Sequence, residues 1–140
     1  MQYMKEPGLE NACKELRSAF QGILSWKWDS RLEAALAEFA AGKKESIRAI
    51  LERSLRITWD SSNIGNAPDV VREIDSHLGG LRSGQLLLTS DPDREPFIFC
   101  AWWPWGDGKT ISIRIASSYK KLSDSEKAGE IQLFKERFGI

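Results

Sequence analysis

Few residues in this chain of 140 could do chemistry. The one histidine is His77. As a general acid or base it needs a nucleophile or carboxylate within hydrogen-bond reach. A constellation of His77, Cys100 and a loop aspartate is conceivable, but nothing in the local sequence supports it. A histidine near a helix end is more simply a surface group favoured by the helix dipole.

Gly106-Asp107-Gly108-Lys109-Thr110 ends like a phosphate-binding loop. That motif requires a glycine five residues before Gly108, where this chain has Trp103, and it must lead into a helix. Here it leads into an alternating, strand-like run, so it reads as a hairpin turn. Asp91, Asp93 and Glu95 alternate like cation ligands, yet Pro96 and Phe97 interrupt the pattern a calcium loop needs. Asp60 and Asp69 could form a carboxylate pair, although turn and helix-cap roles explain them more cheaply. No cysteine or histidine pair has zinc spacing. The sequence therefore predicts no catalytic residue, no metal site and no cofactor.

Tryptophan is the distinctive residue. Six occur, at 26, 28, 59, 102, 103 and 105, three of them within Ala101–Gly106. In strand alternation Phe97, Phe99, Ala101 and Trp103 share one side, and Ile98, Cys100 and Trp102 share the other. If the isoleucines of the next strand face the core, Ser112 and Arg114 lie beside one of these aromatic rows. Tryptophan and arginine are enriched among binding hot spots. Trp102, Trp105, Asp107 and Arg114 are the predicted partner-binding residues, with Trp105 pushed out of the ladder by Pro104. A final helix laid over Arg114 would instead make that face structural.

The elements that must position these residues follow from periodicity. Apolar residues at Leu9, Ala12, Leu16, Phe20, Ile23 and Leu24 predict a first helix. Ser30 and Glu33 look like a capping box opening a second, with Leu32, Leu36, Phe39 and Ala40 inward and Gly42 as its stop. Ile47, Ile50, Leu51 and Leu55 mark a third helix. Pro68 starts a fourth that buries Val70, Val71, Ile74 and Leu78. Beyond Gly84 the period changes to two: Gln85–Thr89, Phe97–Trp103 and Thr110–Ala116 read as a three-stranded antiparallel meander. Ser123 and Glu126 cap a C-terminal helix packed on it. The expected fold is a single α+β domain over residues 1–140, with an N-terminal half of about four helices.

Composition bounds the function. Twenty basic and twenty acidic side chains cancel, without the basic excess typical of nucleic-acid binders. Residues 57–96 carry three basic and seven acidic groups and form the acidic stretch of the chain. No signal-like or bilayer-spanning apolar run is present, and Cys13 and Cys100 read as small buried hydrophobes. The expectation is a cytoplasmic, non-enzymatic protein-binding module. An immunity protein or antitoxin of bacterial type, masking a toxin or effector, fits this class, as does an adaptor. The alternative is a small-molecule binder or small enzyme with a pocket between helices and sheet. A deep pocket holding Arg114, His77 or Asp60 would favour it.

Overall fold

A computed structural model describes residues 7–93, 97–118 and 123–140. Helix α1 (Pro7–Phe20) is followed by β1 (Lys27–Asp29), β2 (Ala34–Ala40) and α2 (Lys44–Ser54). Then come β3 (Ile57–Trp59), α3 (Asp69–His77), β4 (Leu86–Thr89), β5 (Ile98–Pro104), β6 (Thr110–Ser117) and α4 (Asp124–Arg137). The strands form one six-stranded sheet in the order β1-β2-β6-β5-β4-β3, and every neighbouring pair is antiparallel.

The fold is α+β, but the expected three-stranded meander beside a purely helical first half is corrected. Strands β4, β5 and β6 are neighbours inside a sheet of six, and β1, β2 and β3 come from the half expected to be helical. The segment read as the second helix is β2, whose six-residue register against β6 runs from Ala35 opposite Ile115 to Ala40 opposite Thr110. Its composition, Ala-Ala-Leu-Ala-Glu-Phe-Ala, is helix-prone, and pairing overrides that weak preference. The cause lies in β6, which buries residues on both faces and so cannot stand at an edge.

The supposed capping box at Ser30 is the β1–β2 hairpin loop. Asp29 Oδ1 accepts the backbone N–H groups of Arg31 (3.0 Å) and Leu32 (3.2 Å), and Glu33 closes the turn at φ 54°. Ser123 does form its capping box with Glu126 at the start of α4.

One face of the sheet carries the main core. Cys13, Leu16 and Phe20 of α1, Ile47 and Leu51 of α2, and Phe134 and Phe138 of α4 pack on Ala35, Ala37, Phe39, Cys100, Trp102 and the three isoleucines of β6. On the other face α3 covers only the β3–β4–β5 side, where Val71 meets Leu87 and Phe97. Leu36, Ala101 and Trp103, also on that face, belong to neither cluster. Neither cysteine forms a disulfide, and both are buried. Among the described residues no helix is long and apolar enough to cross a membrane.

Candidate binding surface

The β5–β6 hairpin is built so that its tip is held without being covered. Pro104 ends β5 opposite Ile111, and Trp105 N–H still donates to the Thr110 carbonyl (2.8 Å). Asp107 Oδ1 accepts the N–H groups of Lys109 (2.8 Å) and Thr110 (3.1 Å), and Gly108 N–H donates to the Trp105 carbonyl (3.2 Å). Gly108 supplies φ 69°, a conformation that disfavours other residues. Asp107 therefore works as the staple of the turn. Trp105, 45% exposed, stands on that stapled loop.

Arg114 lies on the sheet face that α3 leaves open, directly between Leu36 and Ala101 in the register. Its Nε donates to Asp29 Oδ2 at 2.8 Å, and its Nη1 donates to Ser112 Oγ at 3.2 Å. The guanidinium sits 4.6 Å from the centroid of the Trp103 ring. Burial pushes the Asp29 carboxyl up. The Arg114 hydrogen bond, the Leu32 N–H, the Arg114 charge and the Arg31 N–H outweigh it and hold the group below its ordinary 3.8. Arg114 and Asp29 are mostly buried while Trp103 keeps partial exposure, so the guanidinium holds the indole in a preordered position.

The four predicted binding residues do not form one patch. Trp105 and Asp107 share the hairpin tip, and Arg114 lies on the open face. Trp102 is on the opposite, covered face, 5% exposed and edge-on to Phe39 at 5.5 Å. The tryptophan beside Arg114 is Trp103. Two participants escaped the sequence reading. Trp103 follows from alternation once the hairpin register is known, whereas Asp29, 85 residues from Arg114, leaves no local signal.

The catalytic alternatives find other uses. Asp60 accepts Ser62 Oγ (2.6 Å), Ser62 N (2.9 Å) and Asn63 N (3.1 Å), organising its loop. Asp69 pairs with Arg72 in the first turn of α3. Asp91 Oδ1 accepts Asp93 N–H (2.9 Å), while Glu95 lies outside the described residues. Burial pushes the Cys100 thiol far above the usual range. His77, with Glu73 and Glu33, lines a cavity of about 200 Å3 between α3 and the sheet. Among the described residues no group of three or more His, Cys, Asp or Glu side chains is placed to hold a metal ion.

Compared with known proteins, the chain matches no family model, no curated protein and no solved structure.

Four of the six tryptophans are consumed by packing. Trp26 packs on Phe20 and Phe138, and Trp28 on Phe134. Trp59 joins the α3 cluster and donates to Thr89 Oγ1 (3.3 Å), and Trp102 meets Phe39. Trp103 and Trp105 belong to neither core cluster, and both are carried by the same hairpin.

Proposed function

We propose that this chain is a protein-binding module that grips its partner with the β5–β6 hairpin and the open sheet face beside it. The observation that carries this reading is the pair Trp103 and Trp105, placed outside both cores and held by Arg114 and by the Asp107-stapled turn. A stapled tryptophan loses little freedom on binding and brings a large contact area, which makes it an efficient anchor.

A projecting tip needs a concave complement, and a macromolecule supplies one where a small ligand does not. The equal count of acids and bases offers no excess to neutralise a phosphate backbone. A protein partner is the reading left. Within that class, a role in masking a toxin or effector, as immunity and antitoxin proteins do, or in bridging two proteins as an adaptor, suits a small module with its anchors outside the core.

The test is photo-crosslinking from the tip in the source cell. A benzophenone amino acid at Trp105 should capture one protein, and the same group at exposed Gln132 on α4 should not. That protein, once purified, should slow amide exchange across residues 103–109 on binding. Equal capture from both positions, or protection confined to other elements, would overturn the proposal.

A further inference from the structure

On the covered side of the sheet, at the base of the same hairpin, a cavity of about 540 Å3 opens between the start of α2 and the ends of β4, β5 and β6. Small-molecule sites occupy roughly 300–1,000 Å3, are mostly apolar, and carry a few placed polar groups. This cavity has that make-up. Leu86, Trp102 and Ile111 supply apolar wall, and Lys44, Arg48 and Glu45 of α2 supply charge. We propose that it binds a small organic anion, with an apolar ring against Trp102 and a carboxylate or phosphate head at Lys44 and Arg48.

Two features of the lining point to a ligand of this class. The first is Trp102 itself, 5% exposed, whose indole N–H donates to no described residue. The indole nitrogen itself keeps contact with solvent, since the buried side-chain polar atom without a partner among the described residues is Ser117 Oγ. Among the described residues, Trp59 is the tryptophan whose indole N–H has a protein acceptor, Thr89 Oγ1. An anion's oxygen or a ring substituent can take the Trp102 donor in place of water.

The second feature is charge. Lys44 has no ion pair among the described residues, and Arg48 is engaged only through Nε to Glu52, at 3.0 Å. That pair is exposed and spaced i,i+4, an arrangement that contributes only about 0.3–0.5 kcal/mol and yields readily to a better acceptor. The N–H of Lys44, the first residue of α2, already donates to the Ala41 carbonyl, so the charge of the head site comes from the Lys44 and Arg48 side chains. Glu45 is the single carboxylate of the lining and leaves the cations in excess. The site lies across the sheet from Trp103 and stands independently of the protein-binding reading.

The test uses the full chain labelled with 15N, titrated with sodium benzoate and with phenyl phosphate, and with benzyl alcohol as the uncharged control. The Trp102 indole resonance, assigned through its own backbone amide, should move saturably with a Kd of about 1 mM or tighter for at least one anion. Whichever anion binds identifies the head group. Lys44→Gln and Arg48→Gln alter exposed or partly exposed side chains, so their spectra should stay dispersed. Each should weaken binding about tenfold, the effect of losing one charged hydrogen bond. Benzyl alcohol binding as tightly as the anions, unchanged affinity in both variants, or a Trp102 resonance that does not respond would each overturn the proposal.

Discussion

Replacing Asp29 by Asn should expose how strongly the open face depends on its ion pair. The substitution keeps the shape of the side chain and one oxygen for the Arg31 and Leu32 N–H groups. It removes the charge and turns an N–H donor toward Arg114 Nε, which now donates to Asp29 at 2.8 Å. A hydrogen bond to a charged group contributes about 1.5–3 kcal/mol. Breaking a fully buried ion pair costs about 3–5 kcal/mol. With side-chain exposures of 16% for Arg114 and 12% for Asp29, the pair is largely but not wholly dry. The expected loss is about 2–3 kcal/mol, or about 5–10 °C in Tm for a chain of this size.

Denaturant unfolding at two pH values supplies the assay. The folded-state pKa of Asp29 lies below its ordinary 3.8, so its contribution is fully present above the unfolded value and fades as pH falls through the folded one. The gap between wild type and Asp29→Asn should therefore be wide near pH 7 and shrink markedly near pH 2.5. A gap under about 0.5 kcal/mol at neutral pH would match an exposed pair and refute the reasoning. So would a gap of equal size at both pH values.

Other outcomes follow from the same structure. Ala37 is fully buried under the helices while Ala40 is exposed, so Ala37→Glu should unfold the protein or cost about 3 kcal/mol or more, and Ala40→Glu under about 0.5 kcal/mol. A helix over this segment, with Ala40 inward, would reverse that order in a thermal melt. Cys13 and Cys100 are both fully buried and the Cys100 thiol is pushed upward by burial. A thiol reagent near pH 8 should therefore label them only at the rate of unfolding. Prompt labelling of the native protein would contradict the packing.

What the sequence revealed depended on how strongly each residue speaks for its period. Ile111, Ile113 and Ile115 alternate with Ser112 and Arg114, and the strand they imply is present as β6. Leu16 and Phe20 of the expected first-helix stripe are buried, whereas Ile23, expected on the same stripe, lies beyond the end of α1 and is exposed. Ala34–Ala40 misled because alanine is small enough to sit in either period and favours a helix locally. Only the demand of β6 for a partner on its open edge made it a strand. Strand β3 is three residues long, too short to show any period.

The candidate binding surface was half legible. The exposed Trp105 follows from Pro104 and the glycines of the turn. Which tryptophan lies beside Arg114 is set by the hairpin register, since Ala101 opposite Arg114 places the row of Trp103, not that of Trp102, on the open face. The Asp29–Arg114 pair joins two distant strands and can be seen only once β1 and β2 are folded against β6.

The central claim is that the hairpin tip binds and does not merely close the fold, and Trp105→Ala tests it most directly. The residue is 45% exposed and lies outside both cores, so its removal should leave Tm within about 3 °C of wild type. Titration calorimetry against the purified crosslinked partner should show affinity falling about thirtyfold, the equivalent of a hot-spot truncation of about 2 kcal/mol. Unchanged affinity together with a Tm drop of about 10 °C, the mark of a core tryptophan lost, would contradict the account.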